Sequence, residues 1–86
     1  MNKALTNPEN SREIRLKRLK FRSWHRGWKE TDLILGQFAD AVLEQMSDDE
    51  LMTYEALLDE DDDVLWNWIV RKEEPPAHFV SIIARL

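Results

Sequence analysis

A chain of 86 residues without a cysteine has room for one compact domain and for no disulfide, thiolate metal site or cysteine nucleophile. Its net charge of −5 counts against nucleic acid as the main partner. No apolar run approaches the roughly 20 residues of a membrane-crossing helix, and the N-terminus, MNKALTNPENSRE, lacks an apolar signal region and carries acidic residues. These features lead us to expect a protein of a reducing compartment, most simply the bacterial cytoplasm, with no membrane partner.

Residues 1–9 are expected to form a flexible tail and residues 10–86 a single helical domain. Asn10 followed by Glu13 resembles a capping box, which places the start of the first helix there. That helix runs through IRLKRLKFRSWHR and stops at Gly27, a residue that tolerates positive φ. Thr31 or Asp32 is expected to cap the second helix, whose Leu35, Phe38, Val42 and Met46 recur three or four residues apart on one face. Ser47 and Glu50 form a clearer capping box, opening a third helix with Leu51, Tyr54, Leu57 and Leu58 inward. Asp61 to Asp63 suit the start of a fourth helix, where carboxylates meet the positive end of the dipole. Its apolar face is Val64, Leu65, Trp68 and Ile69. Pro75-Pro76 breaks the chain and begins a fifth helix, with Phe79, Ile82, Ile83 and Leu86 at i, i+3, i+4 and i+7. No β-branched alternation lasts long enough for a strand. The fold class is therefore all-α, a single compact bundle of about five short helices, and the four Trp and three Phe are expected mostly in core or interface.

Charge is unevenly placed along the chain. Residues 1–30 hold nine Lys and Arg against three Glu, a local +6, so residues 31–86 carry −11. Such polarity fits a charged docking surface, or two faces of one domain that attract each other. Arg15, Lys17, Arg18, Lys20 and Arg22, interleaved with Phe21 and Trp24, have the composition that grips phosphates and stacks on bases. The acidic remainder would repel nucleic acid. A small nucleic-acid-binding or regulatory module on the basic helix is thus the alternative, and no nucleic acid is the main expectation. The run from Asp59 to Asp63 fails as a calcium loop, because the turn glycine would fall on Val64 and the bidentate Glu on Val70. His25 and His78 belong to no HxxxH or HxxE pattern, and no phosphate loop or nucleophile elbow is present. Neither a metal, a cofactor nor a catalytic residue is expected, and the chain does not read as an enzyme.

One cluster combines several binding groups. RGWKE, Arg26 through Glu30, places an Arg fork, a glycine without Cβ and a carboxylate within five residues, beside Trp24, His25 and Trp28. A fork donor, a close backbone approach and exposed aromatics are the composition of an interface hot spot. The residues alone define a monomeric docking module, in which Arg26 and Glu30 face a partner and their truncation leaves the fold nearly intact.

The stretch RLKRLKFRSWHRGWKETDLILGQFAD closely resembles the SdhE family, the succinate dehydrogenase assembly factor 2 proteins. The family signature Arg-Gly-x-x-Glu is matched by Arg26, Gly27 and Glu30, and the acidic residue two positions further on by Asp32. A second similar stretch is LLDEDDDVLWNWIV, and the likeness runs from about Arg12 to Leu86. Trp28 departs from the pattern, which usually has Met, Thr or another smaller residue there. The resemblance implies a five-helix fold and a protein partner, the flavoprotein subunit of succinate dehydrogenase, with fumarate reductase as a related client. It also implies a role in covalent attachment of FAD to a histidine of that client, by the client's own chemistry. In this role Arg26 would pair with a client carboxylate or polar backbone, Gly27 would let the two backbones touch, and Glu30 would accept from a client cation or orient Arg26.

Overall fold

The computed structural model describes the backbone over residues 8–86 and the side chains from residue 11 onward. Most of the tail expected over residues 1–9 lies outside the described residues. Five α-helices follow in order: α1 Pro8–Trp24, α2 Lys29–Val42, α3 Asp48–Leu58, α4 Asp62–Ile69 and α5 Val80–Arg85. Single 3-10 turns, Leu43–Gln45 and Ala77–Phe79, extend α2 and lead into α5. The helix α1 thus begins ahead of the Asn10 start read from the sequence.

The helices bury most of the apolar positions their spacing marks, though Val64 of α4 is only half-buried and Ile14 and Phe21 of α1 are exposed. Leu35 and Phe38 of α2, Leu51, Tyr54, Leu57 and Leu58 of α3, and Leu65 and Ile69 of α4 form one core with Leu19 of α1 and with Phe79 and Ile82. The capping box of α3 is formed in both directions: Ser47 Oγ accepts from Glu50 N at 3.2 Å, and Glu50 Oε1 accepts from Ser47 N at 2.8 Å. That second bond holds the Glu50 carboxyl below its ordinary value. Not every expected boundary holds. Neither Thr31 nor Asp32 caps α2, which starts at Lys29 after Trp28 and receives no side-chain cap. Both residues are engaged elsewhere, as described below.

Cross-links between helices give the topology. Lys20 pairs with Glu44 (3.4 Å) and Trp24 Nε1 donates to Asp40 (3.2 Å), so α2 runs back along α1. Arg12–Asp48 (2.9 Å), Arg15–Glu55 (3.6 Å) and Arg22–Asp59 (2.8 Å) advance together, so α3 runs parallel to α1. The basic helix and the acidic remainder of the chain are therefore two faces of one domain that attract each other. Surface pairs of this kind contribute little stability one by one, yet they fix α3 in register on α1. Arg12 reinforces the register by donating to the carbonyls of Glu44 (3.3 Å) and Met46 (2.6 Å).

A buried hydroxyl pair ties the three long helices. Tyr54 of α3 and Ser23 of α1 share a 2.6 Å hydrogen bond, with Leu19 O 2.8 Å from Ser23 Oγ and Leu35 O 3.3 Å from the Tyr54 hydroxyl; of the two hydroxyl protons one bridges the pair and the other goes to a carbonyl. Burial pushes the Tyr54 phenol up to about 12 from 10.0. A group whose pKa is raised on folding adds stability that is fully present below its unfolded value and is lost as pH climbs through its folded value. Denaturant midpoints measured across pH 9–12 should fall from pH 10 upward, and Tyr54→Phe should flatten that fall. An equally steep decline in Tyr54→Phe would show that another group drives it.

Candidate functional site

The corner between α1 and α2, residues 25–30, is where the sequence places its binding groups. Gly27 makes the turn with φ +118°, a conformation that L side chains rarely adopt. A Cβ added there would meet nothing in the chain, so the requirement for glycine at this position is one of backbone conformation and not of internal packing.

Arg26 does not point away from the domain. Its side chain is only 10% exposed, and each of its three guanidinium nitrogens donates to a partner within the chain. Nε donates to Asp62 Oδ1 at 2.6 Å, Nη1 donates to Leu58 O at 2.6 Å, and Nη2 donates to Glu60 O. Leu58 and Glu60 are at the C-terminal end of α3, where carbonyls lack helical partners. The guanidinium thus caps α3 and ties it to the first residue of α4. Asp62, itself 12% exposed, also accepts from Thr31 Oγ1 at 3.0 Å. Asp32 Oδ1 accepts from Arg26 N at 2.8 Å, bracing the turn from the other side. The sequence expectation that Arg26 is a free fork, removable without harm to the fold, is therefore revised. Its planar set of donors is satisfied by a carboxylate and two carbonyls more than thirty residues downstream.

Other members of the cluster face outward. Gly27, Lys29 and Glu30 are exposed, and Trp28 is 45% exposed. Among the described residues Glu30 has no ion-pair or hydrogen-bond partner. His25 is exposed, with its ring 4.2 Å from that of Phe21. Trp24 is half-buried and turned toward α2, its indole lying on Gly36. The seven residues singled out in the sequence thus divide. Arg26 and Asp32 brace the corner, Trp24 holds α1 to α2, and His25, Gly27, Trp28 and Glu30 form the surface that is left. Sequence reasoning missed Gly36, Thr31 and Asp62 as the supports of this corner.

The acidic run has specific local duties. Asp59 pairs with Arg22, Asp62 with Arg26, and Asp63 Oδ1 accepts from Val64 N at 3.0 Å. No three His, Asp or Glu side chains gather as metal ligands among the described residues. No helix among them is long and apolar enough to cross a membrane.

Fold and site together define a small all-α domain that presents one braced, outward-facing corner. The model of the family described as "Flavinator of succinate dehydrogenase" matches residues 17–86, and the chain belongs to that family. It is 36% identical over 70 residues to a mitochondrial succinate dehydrogenase assembly factor 2 of Dictyostelium discoideum, covering 81% of this chain and 50% of that protein. It is 42% identical over 62 residues to the protein of the same name from Cryptococcus neoformans, covering 72% of this chain and 35% of that one. It is also 39% identical over 61 residues to the FAD assembly factor SdhE of Acetobacter pasteurianus, covering 71% and 56%. The chain thus spans about half the length, or less, of these curated relatives. No solved structure matches it.

Proposed function

We propose that this chain is an assembly factor that binds the flavoprotein subunit of succinate dehydrogenase and promotes its covalent attachment of FAD, without catalysing the step itself. The observation that carries this reading is the family match across residues 17–86, which includes the braced corner at Arg26–Glu30. Covalent flavin attachment needs the flavin, a client side chain and charge-stabilising groups in near-attack geometry. A rigid wedge that binds one arrangement of the client raises the population of that arrangement by its differential affinity. The outward surface suits such a wedge: Gly27 offers bare backbone, Trp28 an aromatic anchor and Glu30 an acceptor with no partner among the described residues. Arg26 enters this account as the strut that holds the surface in shape, and not as the group that meets the client. The proposal keeps a monomer in the cytoplasm and extends to fumarate reductase as a second client. Against the nucleic-acid alternative stands the pairing of Arg12, Arg15, Lys20 and Arg22 with acidic side chains of the same domain.

Deleting the gene should reduce covalent flavin on the succinate dehydrogenase flavoprotein, read as ultraviolet fluorescence of the denatured subunit on a gel. Re-expression of the parent, and not of Glu30→Ala, should restore it. Unchanged fluorescence in the deletion strain, with normal client abundance, would remove the proposal.

A further inference from the structure

The basic residues of α1 do not all share one fate. Arg12, Arg15, Lys20 and Arg22 each pair with an acidic side chain of the domain. Lys17 and Arg18 are exposed and have no acidic partner among the described residues. They share the outward side of the helix with exposed apolar groups. Ile14 is 45% exposed and Phe21 64% exposed. Ile14, Arg18 and Phe21 fall at i, i+4 and i+7, a continuous stripe along one face of α1, and His25 follows just past its last residue. The stripe is partly ordered in advance, because the Phe21 ring rests 4.2 Å from that of His25. It also runs into the corner, since His25 immediately precedes Arg26.

We propose that this stripe is a second docking strip, and that it takes an amphipathic segment of the client protein whose apolar side covers Ile14 and Phe21 and whose carboxylates meet Lys17 and Arg18. The proposal rests on the docking function argued above and extends the contact about three helical turns up α1. Charge selects the occupant. On a chain of net charge −5, two cations with no acidic partner among the described residues, beside two exposed apolar side chains, are complementary to an acidic, apolar-faced segment. A second copy of the chain does not fit, since stripe against stripe would set Lys17 and Arg18 against their own kind. Nucleic acid is disfavoured because two cations supply few phosphate contacts, and affinity for it grows with their number.

The test titrates the flavoprotein subunit lacking covalent flavin with the full chain and three variants, at low and at high salt. The paired reversal Lys17→Glu with Arg18→Glu should raise Kd about tenfold or more at low salt and less at high salt, where exposed charges are screened. Phe21→Ser should raise Kd about tenfold at both. All variants should melt with the parent, since none of these side chains supports the core. Glu30→Ala reports on the corner separately. If the strip variants bind like the parent while Glu30→Ala binds weakly, the strip is refuted and the corner stands. If the strip variants fail while Glu30→Ala binds normally, the strip stands without the corner. No binding by the parent would overturn both. Parallel arms use phosphatidylglycerol vesicles and a single-stranded oligonucleotide. Capture of either that the reversal abolishes, with client binding unchanged, would assign the strip to that ligand and overturn the proposal.

Discussion

Arg26→Ala is expected to lower stability by about 3–5 kcal/mol, the range for removing one partner of a buried charge pair. The loss comes from what the guanidinium leaves behind. Asp62 would keep only the Thr31 hydroxyl, and the carbonyls of Leu58 and Glu60 would lose a charged donor at the end of α3. A domain of this size holds about 4–13 kcal/mol in total, so the variant would be marginal, with its melting midpoint about 12 °C or more below the parent. Arg26→Lys should recover only part of the loss, since an ammonium on a flexible stem does not reproduce the planar fork. Glu30→Ala, by contrast, should change stability by no more than about 0.5 kcal/mol. Thermal melts of the three variants, each followed by client titration below its midpoint, separate the roles. Should Arg26→Ala melt with the parent, the bracing assigned to Arg26 is wrong, and the residue returns to the list of direct client contacts.

The second large effect concerns a residue that the sequence did not single out. Gly36 lies buried in the middle of α2, where glycine costs about 0.5–1 kcal/mol relative to alanine. Its presence is explained by Trp24, whose indole occupies the space that a Cβ would need: the added carbon would overlap Cδ2 and Cε2 of the ring. The indole is also held by its hydrogen bond to Asp40, so it yields only by breaking that bond. Gly36→Ala should therefore destabilise the fold by about 1–3 kcal/mol through overpacking, despite the gain in helix propensity. In a Trp24→Ala background the same substitution should change sign and stabilise by up to about 1 kcal/mol, because only the propensity gain is left. Urea denaturation of the two single variants and the double variant closes the cycle. Additive effects would mean that α1 and α2 are not held apart by this contact.

These two cases show where sequence reasoning reached and where it stopped. The helical stripes were legible because each depends only on spacing within its own element: Leu51, Tyr54, Leu57 and Leu58 all face the core as expected. The Ser47–Glu50 box was legible for the same reason, both partners lying within one turn. The position of the turn between α1 and α2 was legible too, because Gly27 marks a backbone that needs positive φ. The roles inside that corner were not. An arginine beside two tryptophans has interface composition whether it faces a partner or a carboxylate of its own domain. The choice was made by Asp62, thirty-six residues away, within an acidic run that offered five similar candidates. Trp24 and Gly36 are likewise twelve residues apart on different helices, and nothing in the spacing of either helix announces their contact. The capping of α2 was misjudged because Thr31 and Asp32, good cap residues by type, are taken by Asp62 and by the Arg26 backbone.

The ladder of charges between α1 and α3 also has a consequence in time. Arg12, Arg22 and Arg26 lie 36, 37 and 36 residues ahead of Asp48, Asp59 and Asp62. A ribosome adding 5–20 residues per second delivers those carboxylates roughly two to seven seconds after the arginines they neutralise. Until Asp48 is added, residues 1–47 hold nine Lys and Arg against six Asp and Glu, a net +3, and no third helix covers the apolar side of α1. The growing polypeptide is thus opposite in electrical character to the finished protein, and its sign reverses only as the last two-fifths of the sequence is synthesised.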